Sequence, residues 1–447
     1  MHSSAVLSWR EICKGKRSRT EFAEVRTRSI SSIEAKQIMD TFRKSGESMQ
    51  ELETYFLIEI LKHFIHREKI SSLPDISLEK LFEISEKHNV TGIVFYMIAP
   101  LLGEQKQTSI YQRFSERNII TVYNSVMKEK EVELFAEKLE QAHITYVFFK
   151  GLEIRALYPV PDLRTMGDAD ILVREEDMRT VAEILNSLGY DKSDGGSNVW
   201  TFKKGIMSYE IHSRLVAQSY WNDVDYETYF TGIFDKLILA EKGYRRHFSL
   251  EDHFIFLCFH LAKHLDGSGA GIRMFMDIAL YLVKYQNDMN WEYIWEECTD
   301  IKLARFVEIV ISVCSDWFDV DSSFQMEKIE QTTLEQLKEY VMSGGVFGFE
   351  RDESFRRLRK GMKGKDSGSF LLIKMRTLWK IAFPDRKHMA YFLPQVLYHP
   401  TLLPLAWCKR WKMGLENQWK MKAAVHGMGK NMEEAKAQYS LLKRIGL

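Results

Sequence analysis

Asp168 and Asp170 stand two residues apart in the run Met-Gly-Asp-Ala-Asp-Ile-Leu-Val. Alternate residues of a strand share one face, so both carboxylates project to the same side. Carboxylates held that close repel unless a proton or a cation relieves them. A hard, oxygen-seeking cation such as Mg2+ or Mn2+ suits the pair, above all when substrate phosphates complete its shell. Glu210, in Ser-Tyr-Glu-Ile-His-Ser, offers a third acid, with His212 on the same face of its own strand. Three carboxylates on neighbouring strands can hold two cations, one activating an attacking hydroxyl and one binding phosphates. Taken alone, Asp-x-Asp equally describes a solvated strand end, so its surroundings must decide.

Those surroundings read as a phosphate site. Lys150-Gly151 follows a short apolar run at a strand-to-helix turn. There a missing side chain lets backbone N–H groups approach an anion favoured by the helix dipole. Lys150 supplies a point charge, and Arg164, four residues before Asp168, a bidentate contact. Strand, glycine turn, helix and then acid pair is the order expected of a polymerase-β-like nucleotidyltransferase core.

The elements that must position these groups follow from periodicity. Residues 144–149 are a β-branched and aromatic run of central-strand length. Residues 152–158 read as one to two helical turns stopped by Pro159 and Pro161, and 168–173 as a second strand. A helix over 175–188 follows, with Gly189 at its C-terminal end. Residues 199–203 and 206–215 are two strands joined at a Lys-Lys-Gly turn. Apolar residues recur at helical spacing in 51–65, 78–87, 132–142, 251–265, 272–285, 291–298 and 303–317. The fold class is therefore α+β: a small mixed-sheet core flanked by N-terminal and C-terminal helical regions. The expected divisions are a mobile basic and Ser-rich tail over 1–30, a helical region over 31–142 and the α/β core over 143–245. A helical domain packing on the core follows over 246–350, and a basic helical region over 351–447.

Bulk properties narrow the surroundings of this core. Lys+Arg and Asp+Glu are equal at 62 each, yet 356–447 carries 20 Lys/Arg against 5 Asp/Glu. That asymmetry suits an anionic partner, a membrane surface, or docking of the tail onto the acidic body. The basic run 356–365 would meet RNA phosphates or form a solvated loop. Cys13, Cys258, Cys298, Cys314 and Cys408 are scattered and odd in number, which predicts reduced thiols without a structural zinc. The N-terminus lacks a signal-peptide apolar core, so a cytoplasmic location is expected. Residues 388–408 are uncharged, but Pro394, Pro400 and Pro404 argue against a stable membrane span.

Other groups have plainer readings beside the sharp ones. His253, His260 and His264 share one helical face, a zinc-compatible spacing, but without the Glu of a His-Glu-x-x-His site. Packing towards the α/β module is favoured, with His264 the one nearer substrate. Glu175-Glu176-Asp177 complements a helix dipole. The aromatic stretch 220–230 reads as core before it reads as a base-stacking platform.

The ordered set 149–159, Arg164-x-x-Gly167-Asp168-x-Asp170-Ile-Leu-Val, Gly189-Tyr190 and Glu210-Ile-His212 resembles the bacterial family described as uncharacterised nucleotidyltransferases. His260-Leu-Ala-Lys-His264, Arg273 and Asp277-Ile-Ala extend the likeness, and Ala-Phe-Pro-Asp-Arg near 385 echoes it more weakly. The resemblance implies a metal-dependent enzyme moving a nucleoside monophosphate from an NTP to a hydroxyl or phosphate acceptor. Asp168 and Asp170 would ligate Mg2+ or Mn2+, with Glu210 third, and Lys150, Gly151, Arg164 and Gly167 would bind the nucleotide phosphates. His212, His264, Arg273 and Asp277 would be substrate contacts, and the acceptor a small molecule, a peptide or RNA. The superfamily usually has Gly-Ser or Gly-Gly at the turn; here Leu152 follows Gly151, so a serine hydroxyl is missing. Two other readings remain: a non-catalytic nucleotide-binding or scaffold protein of a biosynthetic or defence cluster, and a toxin modifying tRNA or protein.

Overall fold

A computed structural model describes residues 49–195, 198–216, 222–239, 243–321, 329–345, 394–416 and 432–447, with positions 379, 383 and 386–389 besides. The expected tail over 1–30, the basic run 356–365, Tyr220, Trp221 and Cys13 lie outside the described residues.

Four helices come first: α1 (Met49–Ile65), α2 (Leu78–Lys87), α3 (Thr91–Ile98) and the long α4 (Ser109–Gln141). Ser77 caps α2 by accepting from the Lys80 N–H, as helix starts favour. Then β1 (Tyr146–Phe149), a short α5 (Gly151–Ile154), β2 (Ala169–Val173) and α6 (Met178–Ser187) follow. The acidic run 175–177 forms a 3-10 turn leading into α6, and Gly189, at φ +82°, ends that helix as expected. β3 (Asp191–Gly195), β4 (Val199–Lys204), β5 (Met207–His212), α7 (Tyr226–Thr231), β6 (Ile238–Leu239) and β7 (Arg245–His247) complete the sheet. The chain then runs through α8 (Leu250–Asp266), α9 (Ile272–Tyr285), α10 (Trp291–Asp300), α11 (Ala304–Phe318) and α12 (Gln331–Gly344).

The seven strands form one mixed sheet in the order β3-β4-β5-β2-β1-β7-β6. β1 pairs antiparallel with β2 and parallel with β7, while β2 pairs parallel with β5. Three strands escape a reading of periodicity. β3 is Asp-Lys-Ser-Asp-Gly, with no apolar signal, and exists by pairing with β4 across an irregular register at Lys192/Asp194. β6 and β7 are two and three residues long, and the sheet ends at His247.

The faces of the sheet are covered differently. Tyr146, Phe148, Ala169, Ile171, Val173, Tyr209 and Ile211 pack with Phe135 and Leu139 of α4 and Val181 and Leu185 of α6. The alternate residues Val147, Phe149 and Leu172 join a far larger core. That core runs from α1–α4 through α8–α12 to Leu441, Leu442 and Ile445 near the C-terminus. The helices before and after the sheet therefore share one interior; His66 Nε2 meets the Phe318 carbonyl at 2.7 Å across it. Tyr226 and Phe230 are buried in this core, as the core reading of the aromatic stretch anticipated. Cys258, Cys298 and Cys314 are buried free thiols, and Cys408 is exposed. Among the described residues no helix is long and apolar enough to cross a membrane.

Candidate active site

The site grows from strand register. β2 and β5 run parallel with Asp170 opposite Glu210 and Leu172 opposite His212. Side chains alternate, so Asp170, Glu210 and His212 face the helical side while Ile171, Tyr209 and Ile211 fill the other core. Asp168 stands just before β2 and is exposed, its parity matching that of Asp170.

His212 draws the acids together. Its Nε2 lies 3.0 Å from Asp170 Oδ1 and 3.5 Å from Glu210 Oε2. The carboxylates can only accept, so the Nε2 proton is assigned to this pair. His212 is buried, its ring edge-on to Phe149 at 5.2 Å. Ligand atoms of Asp170, Glu210 and His212 all lie within 4.8 Å of one another, a set that could hold a metal ion.

Lys150 completes the cluster. Its Nζ donates to Asp170 Oδ1 at 2.6 Å. Its backbone, at φ 53° and ψ −125°, occupies a region that favours glycine. Such a conformation costs about 1–3 kcal/mol in a non-glycine residue, and such strain concentrates at functional sites. Burial opposes the Lys150 charge, but Asp170, Glu210 and Asp168 outweigh it and hold the ammonium above the ordinary lysine value. Burial likewise raises the Asp170 carboxyl, yet Lys150 and His212 overcome it and hold the group well below the usual carboxylate range. Hydrogen bonding from His212, against burial and the Asp170 charge, lowers Glu210. Asp168 goes the other way, raised by loss of water and then by its like-charged neighbours Asp170 and Glu210.

Arg164 and Asp277 meet each other beneath this cluster. Arg164 Nε and Nη2 donate to the two oxygens of Asp277 at 2.9 and 2.7 Å, and Tyr158 Oη donates to Oδ1 at 2.7 Å. All three residues are buried. Asp277 thus spends both oxygens inside the protein, which is structural work different from the substrate contact expected of it. Arg164 spends two of its three nitrogens there. The third explains Gly151: a Cβ on that residue would stand 2.6 Å from Arg164 Nη1. The missing side chain makes room for a guanidinium, a reason additional to the phosphate approach expected from sequence.

The loop carrying Asp168 is tied down on both sides. Arg273 Nη1 donates to the Thr165 carbonyl at 2.8 Å and also bonds Thr165 Oγ1, so it is held by protein groups, unlike the substrate contact expected of it. Thr165 Oγ1 donates to the Asn89 carbonyl at 3.0 Å. From α4, the buried Lys128 donates to the carbonyls of Met166 and Gly167 at 2.6 and 2.8 Å. Gly167 is exposed, with open space where a side chain would stand. Lys128 and Tyr158 were not singled out from sequence. Tyr158 sits inside the motif run and could have been suspected; nothing in the local pattern of α4 marks Lys128.

α8 borders the site with its C-terminal half. His260 and His264 contact each other with centroids 4.5 Å apart, and His260 stacks on Phe256 at 6.1 Å. Burial, then the positive Lys263 and Lys150, pushes His264 down to about 4. Burial and Lys150 depress His260 as well. Neither is in a metal-compatible group among the described residues. His253 lies two turns away and does not reach this cluster.

The mixed sheet thus sets acidic side chains of two parallel strands beside a lysine turn. Residues 74–319 match the model of the family described as "Uncharacterised nucleotidyltransferase", and the chain belongs to that family. It is accordingly a nucleotidyltransferase enzyme. No curated protein matches it. Among solved structures it is similar to the antibiotic-resistance factor ANT(2'')-Ia, described in solution as showing substrate-regulated conformation dynamics. That likeness has 14% identity, covers 39% of this chain and 91% of the other, and has a TM-score of 0.29.

Proposed function

We propose that this enzyme moves a nucleoside monophosphate from an NTP to a hydroxyl or phosphate acceptor in a divalent-cation-dependent reaction centred on Asp168, Asp170 and Glu210. The observation that carries the reading is the β2–β5 register, which sets Asp170 beside Glu210 with Lys150 and His212 on the same carboxylate. The donor set suits a hard cation: two carboxylates and an imidazole with ligand atoms within 4.8 Å, already attracting one positive group. Asp170 and Glu210 would hold the cation, with Asp168 completing its protein shell. When bound, Mg2+ or Mn2+ would polarise the phosphoryl oxygens and stabilise the charge that builds on them.

The chain's own groups supply the rest. Lys150 sits where it can move from Asp170 to a triphosphate oxygen, exchanging one anion for another. Arg164 Nη1, beside Gly151, offers a fixed donor to the same phosphates, and Gly167 leaves open space for them. Arg273, Lys128 and the Arg164–Asp277 pair hold the 164–168 loop still, so that Asp168 meets the acceptor in one geometry. The acceptor oxygen attacks the α-phosphorus, the bond to the β-phosphate oxygen breaks, and pyrophosphate leaves. The acceptor proton passes to the exposed Asp168 carboxylate.

The test offers each of the four NTPs with Mg2+ or Mn2+, across hydroxyl-bearing small molecules, peptides and tRNA, and follows pyrophosphate. Release by the native chain and its loss in Asp170→Asn and Glu210→Gln supports the reading. NTP binding with no turnover on any acceptor class would overturn it in favour of a non-catalytic nucleotide-binding protein.

A further inference from the structure

A cavity lies apart from the acidic cluster of the candidate active site. It has a volume of about 220 Å3 and is lined by Glu153, His247, Phe248, His253, Tyr281 and Tyr285 among others. Phe149, fully buried, separates the two places: its ring is 5.2 Å from His212 of the acidic cluster and 6.2 Å from Phe248 of the cavity. On α8, His253 and His260 are seven residues apart, about 10 Å along the helix.

The polar groups of this cavity are unevenly satisfied. Glu153 receives Arg245 Nη2 at 2.5 Å and His247 Nδ1 at 3.4 Å, both on Oε1. Among the described residues no hydrogen bond is made to its second oxygen, Oε2. Hydrogen bonding from His247 and the charge of Arg245 overcome burial and hold the Glu153 carboxyl below its usual range. His253 is 8% exposed, and among the described residues its Nε2 has no hydrogen-bond partner. Burial pushes this imidazole down to about 4, so it is neutral near pH 7.

The remaining walls are aromatic. Tyr281 packs edge-on to His253 at 5.2 Å and against Tyr285 at 4.9 Å, with Phe248 5.8 Å from His253. A carboxylate oxygen amid aromatic faces is the combination that recognises an organic cation, through charge at one end and ring faces along the body. The half-exposed His247 marks the mouth. We infer that this cavity binds a small organic amine in its protonated form, with the ammonium on Glu153 Oε2 and the apolar body against Tyr281, Tyr285 and Phe248. The site is separate from the acidic cluster. An amine there bears on that cluster through α5, whose Glu153 follows Lys150 by three residues.

The test uses the full chain and three probes of one shape: 2-phenylethylamine, 2-phenylethanol and phenylacetate, titrated by calorimetry and saturation-transfer NMR. The amine should bind saturably and at least about tenfold more tightly than the alcohol, with phenylacetate weakest. Leu157→Trp, which fills the cavity, should abolish binding, and Glu153→Gln should weaken it about tenfold. Asp170→Asn should leave it unchanged, so a failed transferase assay would not affect the outcome. Equal binding of amine and alcohol would overturn the cation assignment. Absence of binding by all three at millimolar concentration, or amine binding untouched by Leu157→Trp, would overturn the site. Should Glu153→Gln fail to fold, the probe series and Leu157→Trp still decide.

Discussion

Two charged clusters lie a few residues apart and do opposite things. In the first, Arg164 and Asp277 meet as a bidentate pair, Tyr158 adds a third bond, and no charge is left over. In the second, Lys150 meets Asp170 alone, while Glu210 and Asp168 leave the group with excess negative charge facing solvent. The same residue types build both. A buried ion pair is tolerated when every lone pair and proton is used, and it then acts as a rivet. A cluster left out of balance cannot serve that purpose; under the proposed function it would recruit a cation and phosphates. The difference separates groups that hold the loop from groups that act on substrate.

The sharpest way to break this division is at Asp170. Asp170→Asn should cut pyrophosphate release about a thousandfold or more, as expected for loss of a charge-stabilising group. Because Asp170 is also the buried partner of Lys150 and His212, the variant's thermal midpoint should fall as well, so the loss is read as activity per folded molecule. A large fall in stability with activity intact would merge the two clusters into one structural network.

Asp277→Asn should act mainly on stability. Removing one partner of a buried pair leaves Arg164 uncompensated and costs about 3–5 kcal/mol, measurable as a lower urea midpoint. Activity per folded molecule should fall less than in Asp170→Asn. If Asp277→Asn kept full stability yet lost substrate binding, Asp277 would belong to the substrate site after all.

Gly151→Ala probes the seam between the clusters. The new Cβ meets Arg164 Nη1 at 2.6 Å, and Asp277 prevents the guanidinium from swinging away. A cost of about 1–3 kcal/mol is expected, together with a raised KM for NTP. Unchanged stability and KM would show that Arg164 yields freely, contrary to a riveted geometry.

The smallest effect concerns pH and the far end of the rivet. His88 Nε2 donates to the Met342 carbonyl at 3.2 Å, and its Nδ1 accepts from the Ile272 N–H at 3.4 Å, at the start of the helix carrying Arg273 and Asp277. Burial, with Lys87 adding, pushes this imidazole down to about 4. The folded state resists protonation that the unfolded chain accepts near 6.5, so its stability contribution is complete above that value and is lost as pH falls towards 4. Between pH 7 and 5 the loss should be about 2 kcal/mol. In His88→Gln the urea midpoint should be less dependent on pH; an unaltered slope would remove His88 as the cause.

Much of the transferase core was legible because local pattern suffices for it. Apolar runs marked β1, β2 and β5, and alternation put Asp170 and Glu210 on consistent faces. Helical periodicity found α1, α2, α8 and α9 nearly to the residue. β3 was not legible, because a polar edge strand draws its order from its neighbour rather than its own residues. The substrate assignment of Asp277 illustrates a different limit. A motif says which residues recur together, but an arginine looks the same whether its fork faces a phosphate or a carboxylate 113 residues away.

The sequence by itself determined the acid pair, the glycine turn, the family and the alternation that turns carboxylates to a common side, because each depends on residues close together in the chain. Only the tertiary structure decided that Lys150 rests on Asp170, that Arg164 is bound to Asp277 beside Gly151, and that helices from both ends of the chain enclose one core. Those outcomes depend on long-range packing and on which charges find partners away from water, and neither is encoded in local spacing.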